Sequence, residues 1–197
     1  MCGIAGVFGY RENEGREAVL RLLERMRHRG EPDLQNEVAA GPGWAIGTNR
    51  LAITTESSSA QPIVSSEKKE LLVFNGEIYT GIPGGGCDYA YGELKQYGGD
   101  GPILLDALST YGSEVLDKLE AMFGFVLVMV DKNKVLLGRD RLGVKPLYYA
   151  CASQRVIVAS EIKALAPEND VLEIFSVPPG NTIEVSLPEG SAPRATE

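Results

Sequence analysis

The sequence predicts two packed sheets with helices on the outside. Strand-like stretches sit at both ends of the chain around a helical middle, which is not the regular alternation of a βαβα fold. The longest apolar run, "MFGFVLVMV" from Met122 to Val130, has the length of a buried strand and not of a helix. No repeat of fixed period occurs. At 197 residues the chain suits one domain, or at most two small ones, and its 44% hydrophobic content is ordinary for a globular protein.

Ile4 to Gly9 reads as a short strand. In "GREAVLRLLERMRHRG" the apolar positions Val19, Leu20, Leu22, Leu23 and Met26 repeat with helical spacing, and Gly30 ends the helix. Gly43 to Ile53 reads as one or two strands, and "ESSSAQPIVSSEKKE" as a polar loop broken by proline. Leu71 to Phe74 is a buried strand running into "NGEIYT". Gly81 to Pro102 is crowded with glycine and reads mostly as loop, with a helical turn at Glu93 to Gln96. "ILLDALSTYG" and "EVLDKLEAM" form two short amphipathic helices. Strands follow at Phe123 to Val130, Val135 to Gly138, Leu147 to Ala150 and Val156 to Ala159. "SEIKALA" is a short helix, "VPPGNTIEV" a turn and a last strand, and "EGSAPRATE" an unstructured tail.

Composition excludes several classes. A formal net charge of −8 disfavours nucleic acid, whose phosphates require clustered Lys and Arg. No apolar run approaches the roughly 20 residues that cross a bilayer, and the N-terminus lacks the charged and apolar blocks of a signal sequence. The three cysteines, Cys2, Cys87 and Cys151, are odd in number and widely spaced, so neither a disulfide framework nor a zinc site is expected and a reducing cytoplasm fits. With His28 as its only histidine the chain cannot build a His-rich metal site.

Four stretches could carry chemistry. Cys2 stands beside the chain start. It is either an inert core residue or, once Met1 is removed, a thiol with a free α-amine on the same residue. A thiol of pKa ~8.5 needs a base, and an α-amine of pKa ~7.7–8.0 suits that task. Position alone favours the inert reading. Asn75-Gly76, at a strand end, can aim a side-chain N–H and a backbone N–H at one point as an oxyanion hole, or can be a plain turn. Arg50, among strand-like residues, either pairs with a core acid or grips a ligand carboxylate. Asp100 either caps the following helix or accepts from a ligand ammonium. An amino-acid ligand requires both grips.

In this order, "CGIAGVFG", "MRHRGEPD", "NRLAI", "QPI", "FNGEIY", "MFGFVLVMVDKNKVLLGRDRLGVKPLYY" and "ASEIKALA" resemble the N-terminal glutaminase domain of class II glutamine amidotransferases, of the asparagine synthetase type. The likeness runs from Cys2 to about Val185, so residues 2–186 are expected to be that domain and 187–197 a disordered tail. It implies an α+β fold, a four-layer αββα sandwich of two mainly antiparallel sheets (the N-terminal nucleophile hydrolase fold). The implied reaction is hydrolysis of L-glutamine to L-glutamate and ammonia. Cys2 would be the nucleophile and form a thioester, with its amine as base. Asn75 and Gly76 would form the oxyanion hole and contact substrate, Arg50 would hold the α-carboxylate, and Glu77 and Asp100 the α-amine. "RDRLGVKPLYY" would lie near the route ammonia takes, with Arg139, Asp140 and Lys145 placed either there or in a structural ion pair.

The sequence also departs from the family pattern. Glu31 is inserted in "HRGEPD", Asn49 precedes "RL", "NGEIYT" ends in Thr80, and Gly101-Pro102 follow Asp100. The Ser-Gly-Gly-x-Asp-Ser mark of an ATP-dependent synthetase domain does not occur, and neither "GGDG" nor "GIPGGG" is a phosphate loop. This chain is expected to use no cofactor and no metal itself, with ATP and Mg only in a synthetase domain or subunit that accepts the ammonia. A homo-oligomer is left open. The alternative function is a degenerate glutamine-binding or regulatory module without turnover. A structural domain without activity and a Cys-His hydrolase using His28 are weaker readings.

Overall fold

The computed structural model describes residues 1–10, 12–31, 37–51, 60–65, 67, 69–80, 99–171, 173–187 and 193–196. One six-stranded sheet contains β1 (Gly3–Phe8), β2 (Glu37–Gly41), β3 (Trp44–Asn49), β8 (Tyr148–Cys151), β9 (Val156–Ala159) and β10 (Phe175–Ser176), in the order β10-β8-β9-β1-β3-β2. The other contains β4 (Ile63–Val64), β5 (Glu70–Thr80), β6 (Glu120–Met129), β7 (Lys134–Arg139), β11 (Thr182–Ser186) and β12 (Arg194–Thr196), in the order β12-β11-β7-β6-β5-β4. Every neighbouring pair of strands is antiparallel. The helices are α1 (Glu12–Arg25), α2 (Asp100–Tyr111) and α3 (Ile162–Leu165).

The layering follows from side-chain alternation along strands. In β1, Ile4 and Phe8 enter the core between the sheets, where they join Leu71, Val73, Val126 and Leu137. Ala5 and Val7 point the other way, against Val19, Leu22, Leu23 and Met26 of the α1 segment. In β5, Leu71 and Val73 face inward while Leu72, Phe74 and Ile78 pack on Leu104, Leu105 and Leu108 of α2. Both faces of the central strands are covered, so they read as continuous apolar runs. The result is helix, sheet, sheet, helix, as the sequence predicts.

Several elements differ from expectation. Asn75-Gly76 is neither a strand end nor a turn: β5 continues through it to Thr80, with Asn75 opposite Gly124 and Gly76 opposite Phe123. The helix expected over Glu114 to Met122 is a 3-10 segment, Ser113–Lys118, because Glu120 onward is claimed by pairing with β5. The first helix ends at Arg25 and is followed by a 3-10 turn, Arg27–Arg29. The second begins at Asp100, ahead of Ile103. Arg194–Thr196, in the tail read as disordered, pairs with β11. The turn expected at Glu93 to Gln96 and most of the glycine-rich stretch lie outside the described residues. Among the described residues no helix is long and apolar enough to cross a membrane.

Candidate active site

Period-two alternation sets the site. Asn75 and Glu77 follow Leu71 and Val73 on the face of β5 turned toward the other sheet. There they meet the start of β1. A cavity of about 150 Å³ opens at this point, and Cys2, Arg50, Asn75, Gly76, Glu77 and Asp100 all line it. All six residues singled out in the sequence, from four separate stretches, therefore share one pocket. Met1, Leu51, Gln61, Met122 and Lys145 complete much of its wall.

The backbone around Cys2 is tied down. Arg29 Nε donates to Cys2 O at 3.0 Å, and Ile4 N donates to Ser160 Oγ at 2.9 Å. The Leu51 N–H donates to Cys2 Sγ at 3.3 Å. Arg29 is buried and its Nη1 donates to Glu161 Oε1 at 2.9 Å, linking the first residues of the chain to the start of α3. Burial works against the Glu161 carboxylate, but hydrogen bonds from Arg29, His28 and Lys163 outweigh it and hold its pKa at about 2. The α-amine, carried here by Met1, is pushed down by burial; the nearby Cys2 opposes this, while the cations of Arg29 and Lys145 add to it.

The edge of β5 beyond β4 supplies the donors. Phe74 is held there by Gln61, whose Oε1 accepts from Phe74 N at 2.7 Å and whose Nε2 donates to Phe74 O at 2.9 Å. Ile78 N donates to Asp100 Oδ2 at 3.1 Å. Gly76 lies between them with the same backbone orientation. Its cross-strand partner Phe123 turns both polar groups away, toward Asp140: Phe123 N donates to Asp140 Oδ2 at 3.2 Å and Phe123 O accepts from Asp140 N at 2.9 Å. Gly76 and Phe123 are thus a non-hydrogen-bonded pair, and the Gly76 N–H faces the pocket edge. Beside it Asn75 is 4% exposed, and its Nδ2 is buried with no hydrogen-bond partner among the described residues. A buried amide donor aimed at no protein acceptor has the form of a ligand-binding group.

Asp100 is the first residue of α2, and no side-chain hydrogen bond caps that helix. The capping reading is therefore replaced by the reach to Ile78. Burial raises the Asp100 carboxyl pKa, the Ile78 N–H works against that, and the neighbouring charge of Glu77 adds to it. Both carboxylates line the pocket, a pairing chemically able to accept from a ligand cation. Arg50 follows the end of β3, and its carbonyl accepts from Glu31 N at 2.9 Å, so the inserted Glu31 helps to hold it.

Among the described residues Arg139, Asp140 and Lys145 form no ion pair, so that reading does not hold. Asp140 is 1% exposed and accepts four backbone N–H groups, those of Phe123, Leu142, Val144 and Lys145. Arg139 donates to the carbonyls of Gly143, Lys145 and Val177 and to Ser176 Oγ. Together they fix the β7–β8 connection that brings Lys145 to the pocket wall. His28 is no partner for Cys2: it lies against Glu161 at 2.9 Å, away from the cavity lining. Sequence reasoning missed the roles of Arg29 and Gln61. The only signals were their places in "MRHRGEPD" and "QPI".

Known proteins are similar to this chain in sequence and in fold. The chain is 37% identical over 172 residues to the glutamine-hydrolysing asparagine synthetase B of Escherichia coli (strain K12), a match covering 85% of this chain and 30% of that protein. It is 32% identical over 190 residues to the glutamine-hydrolysing asparagine synthetase of Asparagus officinalis, covering 92% of this chain and again 30% of the relative. The chain thus spans about 30% of the length of these relatives. Among solved structures, glutamine phosphoribosylpyrophosphate amidotransferase from B. subtilis, complexed with ADP and GMP, superposes with a TM-score of 0.71 at 18% identity, covering 100% of this chain and 49% of that one. This last likeness bears on the fold. A family model described as a glutamine amidotransferase domain matches residues 1–178, and the chain belongs to that family, in its class II branch.

Proposed function

We propose that this domain hydrolyses L-glutamine to L-glutamate and ammonia through a Cys2 thioester, and that the ammonia passes to a synthetase domain or subunit. The observation that carries the reading is the pocket itself. It joins a thiol near the chain start, an unpartnered amide donor on Asn75, and charged groups of both signs suited to an amino-acid backbone.

Removal of Met1 leaves the α-amine on Cys2. That amine takes the thiol proton, and the sulfur attacks the glutamine side-chain carbonyl carbon. Asn75 Nδ2 and the Gly76 N–H receive the negative charge that develops on oxygen. The carbon–nitrogen bond breaks, and ammonia departs with the proton returned by the amine. Water then attacks the thioester, the carbon–sulfur bond breaks, and glutamate leaves with the thiol restored. Arg50 holds the α-carboxylate; Glu77 and Asp100 hold the α-ammonium. This half-reaction uses side chains, the amine and water, so ATP and Mg²⁺ belong to the acceptor side. The names of the relatives, glutamine-hydrolysing asparagine synthetases, support an ammonia-consuming partner. A cytoplasmic location fits the three unclustered cysteines.

The test is glutamate release from glutamine by the purified chain, with loss of Met1 confirmed by mass. Release above a Cys2→Ala control is the expected result. No release from processed protein that still binds glutamine would replace an enzyme with a binding module.

A further inference from the structure

Lys145 is a cation on the pocket wall with no counter-charge paired to it among the described residues. It is 9% exposed and lines the cavity, yet among the described residues its ammonium makes no ion pair or hydrogen bond. Its stem is covered while its ammonium is open to the pocket, and the surrounding chain is organised to keep it there. Lys145 N donates to Asp140 Oδ2 at 3.0 Å, and Lys145 O accepts from Arg139 Nε at 2.8 Å. Its backbone is therefore gripped on both sides.

Its position within the pocket is also defined. Gly124 is the cross-strand partner of Asn75, and a Cβ added to Gly124 would lie 3.8 Å from Lys145 Cβ. Lys145 thus stands over the gap beside Asn75, and its charge is felt at the α-amine of the chain start. Glu77 and Asp100 occupy the other end, where the charge of Glu77 adds to the raised pKa of Asp100. In the proposed reading, glutamine matches every charge but one: its carboxylate meets Arg50 and its ammonium meets Glu77 and Asp100. Lys145 is left over, at the end where the neutral side-chain amide sits.

We propose that Lys145 is an anion-binding residue at the reacting end of the pocket, complementary to the side-chain carboxylate of the product L-glutamate and to the oxyanion that precedes it. This rests on the glutaminase reading and extends it. The residue distinguishes a neutral amide from a carboxylate at the same place, so it favours charge that the reaction creates over charge the substrate brings. It also makes glutamate a competitive product inhibitor.

The test uses direct calorimetric titration of the Cys2→Ala chain, which cannot turn over, with L-glutamate and separately with L-glutamine. Lys145→Met keeps the apolar stem and removes the charge; Lys145→Arg keeps the charge. Lys145→Met is expected to weaken glutamate binding about tenfold or more, the scale of a lost hydrogen bond to a charged group, while leaving glutamine binding unchanged. Lys145→Arg should recover most of the glutamate affinity. On the Cys2 background, Lys145→Met should lower kcat with KM for glutamine held. Unchanged glutamate affinity, or an equal loss for both ligands, overturns the proposal while glutamine binding still supports the parent reading. Should Lys145→Met not fold by circular dichroism, Lys145→Gln is read against Lys145→Arg by the same criteria. Absence of glutamine binding and hydrolysis in the unmutated chain overturns both.

Discussion

Gln61 replaces a strand residue for Phe74. Its side-chain amide meets both backbone groups of Phe74, donating to the carbonyl at 2.9 Å and accepting from the N–H at 2.7 Å. β4 pairs with β5 only at Leu71 and Leu72. One amide therefore extends the ladder far enough to keep β5 straight into Asn75 and Gly76. Gln61→Leu would strand a buried N–H and a buried C=O, each costing about 1–3 kcal/mol. The expected outcome is a clear fall in urea-unfolding stability together with a lower kcat. Lost stability with kcat intact would mean that the donor geometry is fixed by β6 alone.

Asn75 is expected to behave differently. Its Nδ2 has no hydrogen-bond partner among the described residues, so Asn75→Ala breaks no hydrogen bond to them through that atom. An oxyanion donor acts in the transition state and can be worth about 2.7–4 kcal/mol there. Asn75→Ala should therefore reduce kcat about a hundredfold or more, with KM and melting temperature little changed. Equal losses in affinity and turnover would make Asn75 a ground-state binding residue.

Gly76 is constrained by space. A Cβ there would sit 2.3 Å from Met122 O and 2.8 Å from Phe123 Cα, both backbone atoms of the paired strand. Gly76→Ala must push β5 and β6 apart at the site. It should destabilise the fold by roughly 1–3 kcal/mol, as overpacking does, and abolish hydrolysis. Full activity in Gly76→Ala would show that the two strands can separate locally without moving the pocket.

These residues also show what the sequence could and could not reveal. β1 and the first half of β5 were readable because both their faces are covered, which leaves apolar runs with no polar interruption. The extension of β5 was not, since Asn and Gly are poor strand formers and only the long-range pairing with β6 keeps them extended. The same pairing took Glu120 to Met122 from an otherwise helical pattern. The six pocket residues were found through motif order; no spacing rule brings Cys2 to Asp100. Gln61 escaped assignment, and Lys145 stayed between the ammonia route and an ion pair, because their meaning depends on partners across the fold. Gln61 needs the backbone of β5, and Lys145 needs a gap over Gly124.

Two acids should give opposite pH signatures. Glu161 is held at about 2 against an ordinary value of 4.5, so between those values the folded form binds fewer protons than the unfolded one. Its contribution to stability is complete above about pH 4.5 and is lost as pH falls toward 2. Glu161→Gln should flatten that acid limb in thermal unfolding; an unaltered limb would assign it to other carboxylates. Asp100 has a raised pKa, chiefly from burial, so its ionisation subtracts from stability as pH rises through that value. Ionised Asp100 is also the form that holds an ammonium. KM for glutamine should therefore climb as pH drops through the raised value, and Asp100→Asn should remove this dependence. A pH dependence that survives in Asp100→Asn would shift the ammonium grip to Glu77.

Asp140 carries the last prediction. One carboxylate accepts the N–H groups of Phe123, Leu142, Val144 and Lys145, so it joins β6 to the connection that follows β7. At 1% exposure it is out of reach of water that could replace those donors. Asp140→Ala orphans all four and should destabilise the domain severely. Asp140→Asn is the informative variant, because its shape is kept while the NH₂ must confront donors with a donor. The Oδ2 position serves Phe123 and Lys145, and Oδ1 serves Leu142 and Val144. Whichever way the amide turns, one pair is lost. If the NH₂ faces Phe123 and Lys145, the β6 edge and the Lys145 backbone both loosen, and kcat should fall with stability. If it faces Leu142 and Val144, only the exposed tip of the connection relaxes. Hydrogen exchange at the Phe123 and Val144 amides separates the two, and loss of activity with slow exchange at Phe123 would rule out control of the pocket through β6.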